Sequence, residues 1–148
     1  MDKIWFEGKT IIDCSPDKVK SAFQDKGTHF EKVTTLMPGI SSAELTEKSD
    51  DFIHIKTNEG LMKRNNFTIT STENSITIEF DELYTAGKST GFRSHFIEKY
   101  QFQDNKVEYH LIISNVKSPG FLGFFYRNFG SSNIGKAFLN STKKKFEN

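Results

Sequence analysis

Phe96-Ile97-Glu98-Lys99-Tyr100-Gln101-Phe102-Gln103-Asp104-Asn105-Lys106-Val107-Glu108-Tyr109-His110-Leu111-Ile112-Ile113 alternates in step on either side of a turn sequence. Gln103-Asp104-Asn105-Lys106 is a tight hairpin turn, and it sets Phe102 against Val107, Tyr100 against Tyr109, Glu98 against Leu111 and Phe96 against Ile113. All of these but Glu98 are apolar or aromatic, so this is the inner face. The outer face pairs Gln101 with Glu108, Lys99 with His110 and His95 with Ser114, the mixture expected where a sheet meets water. A second turn at Glu73-Asn74 sets Ile69 against Ile78, Phe67 against Phe80 and Asn65 against Glu82 on the same inner face. Joining the hairpins through Thr85-Ala86-Gly87-Lys88 preserves this parity only if the loop is odd, with Gly87 left-handed. The Asn58-Glu59-Gly60 turn has the same requirement, placing Gly60 in the left-handed position. Six strands then fit between Ile40 and Val116.

Outward from this meander, Lys3 to Asp13 is a further strand, with Ile4, Phe6, Thr10 and Ile12 inward and Trp5 and Ile11 outward. Ser15-Pro16-Asp17-Lys18-Val19 starts a short helix, with Ser15 able to cap and Pro16 at the first helical position. Thr28-His29-Phe30-Glu31 has capping-box spacing, and Phe30, Val33 and Met37 follow at helical intervals until Pro38-Gly39. From Pro119 to Asn148 a terminal helix carries Phe121, Phe125 and Phe129, then Ile134, Ala137, Phe138 and Ser141. The two stripes are out of phase, so Gly130-Ser131-Ser132 must kink, unwind or interrupt the helix. Lys143-Lys144-Lys145 complements its negative end.

The chain has 148 residues, the length of one domain, residues 1–148. Twenty basic against 19 acidic residues give a net charge of +1, which argues against a nucleic-acid partner. The single cysteine, Cys14, cannot form an internal disulfide, and charges break every apolar stretch near the amino terminus, so a reducing cytoplasmic setting is expected. The longest apolar run, Phe121 to Tyr126, is far short of the ~20 residues of a membrane span. His29, His54, His95 and His110 are scattered without ligand spacing, and no nucleophile motif, phosphate loop or dinucleotide fingerprint occurs, so neither a metal nor a cofactor is expected.

Strand, two short helices, six strands and a long terminal helix is an order that resembles the START-like and polyketide-cyclase-like superfamily, which includes the birch-pollen-type allergens. The resemblance rests on the first strand running into Ile12-Asp13-Cys14-Ser15-Pro16-Asp17-Lys18-Val19, on the strand count and on the terminal helix. It is a likeness of pattern over nearly the whole chain, without a shared signature motif. It implies an α+β helix-grip fold: a curved seven-stranded antiparallel sheet wrapped about the long terminal helix, with an apolar cavity between them. Gly120, Gly123, Gly130 and Gly135 depart from a regular helix, since glycine costs about 1 kcal/mol against alanine in a helix interior.

Phe6, Phe67, Phe80, Phe92, Phe96, Tyr100 and Tyr109 fall on the inner face with Phe121, Phe125 and Phe129 opposite them, so they either line a ligand cavity or fill the interior. Three polar residues share that face. Glu98 lies among Phe96, Tyr100 and Leu111, where burial would raise its pKa. Asn65 and Glu82, near Lys63 and Tyr84, form a second polar group at the cavity rim. The leading expectation is a carrier of a hydrophobic or amphipathic small molecule (a lipid, isoprenoid or polyketide-like ring system), acting as a monomer or weak dimer. The alternatives are a cyclase or dehydratase with Glu98 as general acid or base, and a protein-interaction module with a closed core.

Overall fold

The computed structural model describes residues 3–86, 91–117 and 131–148. Strand β1 (Ile4–Ile12) is followed by helices α1 (Pro16–Ala22) and α2 (Lys26–Thr35). Strands β2 (Ala43–Lys48), β3 (Phe52–Thr57), β4 (Gly60–Ser71), β5 (Ser75–Ala86), β6 (Phe92–Gln103) and β7 (Lys106–Lys117) come next, and then helix α3 (Ser131–Glu147). The seven strands form one antiparallel sheet in the order β1-β7-β6-β5-β4-β3-β2, a meander closed at one side by β1. This is the α+β helix-grip architecture. Gly87, Phe121, Phe125, Phe129 and the break expected at Gly130 lie outside the described residues.

The β6–β7 register has Phe102 against Val107, Tyr100 against Tyr109, Glu98 against Leu111 and Phe96 against Ile113, as the turn chemistry predicts. Between β5 and β6, Tyr84 faces Phe92 and Phe80 faces Phe96, so the connection preserves parity with an odd number of residues. Two expectations fail in β4, for one reason. Asn66 adopts φ 57°, and the register slips between Asn65 and Thr68. Ile69 still meets Ile78, but beyond this bulge Asn65 pairs with Asp81 and Arg64 pairs with Glu82. Arg64 therefore turns inward and Asn65 is exposed. The same slip removes the need for an odd turn at Asn58-Glu59-Gly60. Lys56 pairs with Leu61, and Gly60 is not left-handed; the Thr57 hydroxyl bonds the Glu59 and Gly60 amides instead. A side-chain period of two makes such parity a global constraint, and a bulge satisfies it as well as a turn does.

At β1 the register shifts between Ile4 and Phe6. Asn115 in β7, at φ 55°, answers it with a slip against β6. The Lys3 amide donates to Asn115 Oδ1 at 3.0 Å and the Asn115 amide to the Lys3 carbonyl at 2.9 Å, fixing the two irregularities together. Trp5, expected on the outer face, is thereby turned inward, while Ile4 and Ile11 are left exposed.

Helix α1 has Pro16 in its first turn, but Ser15 makes no side-chain cap. Helix α2 begins before the expected Thr28: Asp25 caps it, accepting from the Thr28 amide at 3.3 Å and the Thr28 hydroxyl at 2.8 Å. Glu31, read as the far side of a capping box, instead accepts from the Leu45 amide at 2.6 Å and ties α2 to β2. The end of α3 is clamped by Lys18 of α1, whose ammonium donates to the Phe146 and Asn148 carbonyls at 2.6 and 3.0 Å.

Helix α3 packs on β1 through a glycine. A Cβ at Gly135 would fall 2.2 Å from the Phe6 ring, so Phe6 sits on bare helix backbone. Gly135→Ala is expected to lose about 1–2 kcal/mol in urea unfolding, because overpacking by about 1–3 kcal/mol outweighs a helix-propensity gain of about 1. A stabilised variant would show that Phe6 can move away freely.

Candidate functional site

Between the sheet, the end of α2 and α3 lies a cavity of about 190 Å³. Its walls come from every layer of the fold. Thr34, Met37, Pro38 and Ile40 come from α2 and the chain after it, and Thr57, Glu59 and Met62 from the β3–β4 corner. The middle of the sheet supplies Glu82, Tyr84, Phe92, Ser94, Phe96, Ile113 and Val116. Trp5 and two residues of α3, Ile134 and Phe138, complete it. The lining is predominantly apolar with a few convergent polar groups, the pattern of a small-molecule site. Exposed Pro38 and Glu59 mark where it meets solvent.

Glu82, in the wall, is held in an ion pair by Arg64, which lies behind the wall against a smaller space. Arg64, 3% exposed, donates from Nε to Glu82 Oε1 at 3.0 Å, and Glu82 is 9% exposed. The guanidinium carbon is 4.6 Å from the ring centroids of both Phe30 and Phe80, 5.1 Å from Phe96 and 5.7 Å from Phe138. These rings are packed on one another: Phe80 stacks on Phe96 at 5.1 Å, and Phe138 meets Phe96 edge-on at 5.2 Å. An arginine buried among ring faces retains favourable electrostatics on both sides of its plane, which offsets part of its desolvation.

Glu98 occupies a different place. It is 3% exposed and lines a second space of about 10 Å³, roughly one water in size, shared with Arg64, Phe96, Tyr109, Phe138 and Thr142. Tyr109 donates to Glu98 Oε1 at 2.6 Å and Tyr100 to the same atom at 3.2 Å. Burial pushes the Glu98 carboxyl up, while the Tyr109 hydroxyl, Arg64 and the Tyr100 hydroxyl favour its charged form. Both tyrosines are themselves held well above their ordinary range, by burial and then by Glu98.

Of the residues singled out from sequence, Glu82, Phe92 and Phe96 line the larger cavity. Glu98 and Tyr109 line the smaller one, and Tyr100 is buried beside them. Phe80 is core beneath Arg64, Phe67 packs tilted against Phe80 with centroids 5.0 Å apart, and Phe6 packs against α3. Asn65 is turned away from the site by the Asn66 bulge. Tyr84, read with Glu82 as part of the rim, lines the larger cavity; Arg64, Trp5 and Val116 were not anticipated. Their signal was the doublet Asn65-Asn66 and the lone Asn115 within strands, since asparagine is the residue after glycine that most readily takes positive φ.

On the outer face, His95 bonds Asp81 through Nδ1 and Glu79 through Nε2, both at 2.7 Å. Burial opposes its charge, yet the two carboxylates together hold its pKa above the ordinary histidine value. Among the described residues no cluster of three or more His, Cys, Asp or Glu is arranged to hold a metal ion, and no helix is long and apolar enough to cross a membrane.

No family model matches the sequence, and neither does any curated protein. Solved structures do match. The Zhui aromatase/cyclase from Streptomyces sp. R1128 superposes with a TM-score of 0.62 at 11% identity, over 99% of this chain and 94% of that one. A STAR-related lipid transfer protein from Xanthomonas axonopodis gives 0.61 at 12% identity over 96% and 85%, and a START superfamily protein from Mycobacterium smegmatis 0.59 at 10% over 96% of each chain. At these identities the likeness is one of fold. The strand order, the two helices after β1, and a helix held across the sheet over an apolar cavity give this chain the START-like helix-grip fold.

Proposed function

We propose that the protein binds a small hydrophobic or amphipathic molecule in the cavity between the sheet and α3, holding it without covalent chemistry. The observation that carries this is an apolar cavity whose wall includes Glu82, a carboxylate held from behind by the buried Arg64. Apolar walls supply affinity through burial, at about 25 cal/mol per Å² of apolar surface. A fixed polar pair supplies orientation, because a ligand that cannot bond to it leaves buried charge unsolvated. The lipid-transfer and aromatase/cyclase neighbours support a ligand of this general class.

The aromatase/cyclase neighbour also favours a second role, catalysis of a cyclisation or dehydration. Its acid or base would be Glu98, whose pKa is raised. Glu98 lines the smaller space rather than the larger one, so a substrate would reach it only after Arg64, Phe96 or Phe138 moved. Glu98→Gln is therefore expected to leave binding in the larger cavity unchanged within about twofold. A loss of binding with the fold intact would move the site inward.

The test of the binding role is native mass spectrometry of the protein purified gently from its own host. A co-purifying small molecule, released on denaturation, is the expected result. Repeated absence of bound mass, with no uptake of a fluorescent apolar probe, would end this assignment.

A further inference from the structure

Four side chains on the outer face of the sheet form one run of hydrogen bonds. Asn66 Nδ2 donates to Asp81 Oδ2 at 2.9 Å, Asp81 Oδ1 meets His95 Nδ1 at 2.7 Å, and His95 Nε2 meets Glu79 Oε1 at 2.7 Å. An ionised carboxylate only accepts, and a neutral imidazole carries a single N–H. Both contacts are therefore hydrogen bonds only while His95 is an imidazolium. Burial opposes that form, and the two carboxylates outweigh it and hold the pKa above the ordinary histidine value. From β7 His95 faces Ser114, and Arg93 and Lys117 lie beyond it toward the strand ends.

The far end of this run is the bulge. Asn66 is the residue at φ 57° where β4 slips against β5, and the slip is what turns Arg64 inward to Glu82. Asparagine tolerates the left-handed region without demanding it, and here its side-chain bond to Asp81 holds it there. Glu82 follows Asp81 along β5 and points to the opposite face. One strand thus carries both the outer anchor of the bulge and the inner partner of the arginine that the bulge turns.

Resting on the binding role proposed above, we propose that His95 is a positioning residue for the cavity, acting from the opposite face of the sheet. It braces Asp81, Asp81 braces the Asn66 bulge, and the bulge keeps Arg64 behind Glu82. Loss of the imidazolium proton leaves one carboxylate facing a nitrogen lone pair. The brace then loosens, Arg64 is held less firmly, and the cavity loses its oriented carboxylate. Ligand binding is strongest while His95 is charged and weakens as pH rises through the folded pKa. By linkage, a bound ligand raises that pKa in turn.

NMR of the full chain from about pH 5.5 to about pH 8.5 tests this. The His95 ring shift gives the titration, and protection of the Arg64 Nε–H against hydrogen exchange gives the response. In wild type the protection factor should fall about tenfold, the worth of one hydrogen bond, with the midpoint of His95. Asn66→Gly suits positive φ and cuts the link to Asp81, so its Arg64 protection should show no step at that midpoint. His95→Gln should give the low level at every pH. Binding of 1-anilinonaphthalene-8-sulfonate, followed in parallel, should weaken about fivefold across the same midpoint in wild type but not in Asn66→Gly. No Arg64 step in wild type, a step that survives in Asn66→Gly, or probe binding indifferent to the midpoint overturns the proposal and leaves the binding role standing. An Arg64 step with no uptake of the probe at any pH ends the binding role, and the ligand effect proposed here falls with it.

Discussion

Arg64→Met should cost about 3–5 kcal/mol of folding stability in urea unfolding, among the largest effects of any single substitution here. It leaves Glu82 buried without its partner and withdraws the cation from the faces of Phe30, Phe80, Phe96 and Phe138. The double variant Arg64→Met/Glu82→Leu removes the abandoned carboxylate as well, and it should recover most of that loss, since apolar replacement of a whole buried pair is often neutral or stabilising. Stability and function then separate. The double variant is expected to fold well and to bind hydroxylated rings no better than plain hydrocarbons. If the double variant is as unstable as the single one, the ring cage rather than the ion pair is what Arg64 supports.

His29→Phe should stabilise the protein by about 1–3 kcal/mol at neutral pH, in the opposite direction to most core substitutions. His29 is 2% exposed, packed between Phe23, Phe30 and Phe146 at 4.7 to 5.1 Å, and neither ring nitrogen has a partner among the described residues. Burial, then the positive charges of Lys145 and Arg64, hold its pKa well below the ordinary 6.5. The unfolded chain therefore binds a proton below about pH 6.5 that the folded chain refuses, and stability falls as pH drops from there toward the folded pKa. His95 works the other way: its raised pKa contributes stability that is full below about 6.5 and is lost as pH rises through its folded value. Urea midpoints of wild type and His29→Phe across pH 4 to 8 isolate the His29 contribution. The gap between the two proteins should widen as pH falls below about 6.5, and a constant gap would mean that His29 has a bonding partner in solution.

The hairpin from Phe96 to Ile113 was legible residue by residue, because a two-residue turn and strict alternation leave one register that buries the rings. So was the order of elements. What the alternation hid was local and decisive. Counting by twos through Asn65-Asn66 puts Asn65 inside and Arg64 outside, and counting through Trp5 puts the indole in water. The first is reversed by the extra step at Asn66, and the second by one in β1 between Ile4 and Phe6 that Asn115 answers from β7. The functional consequence is large, since both the buried cation that pairs with Glu82 and the inward turn of Trp5 depend on those slips. Glu98 was correctly read as buried, but its distance from the larger cavity depends on where Arg64 and Phe138 sit, which no one-dimensional pattern contains.

Because Trp5 is the only tryptophan and lies in the cavity wall, energy transfer from it to bound 1-anilinonaphthalene-8-sulfonate reports occupancy of that cavity. A ligand site there predicts saturable one-to-one quenching of Trp5 with sensitised probe emission. Both should be lost in Ser94→Leu, which fills the cavity from β6 while leaving the fold in place. Probe binding that leaves Trp5 emission untouched, or that survives Ser94→Leu undiminished, would contradict it.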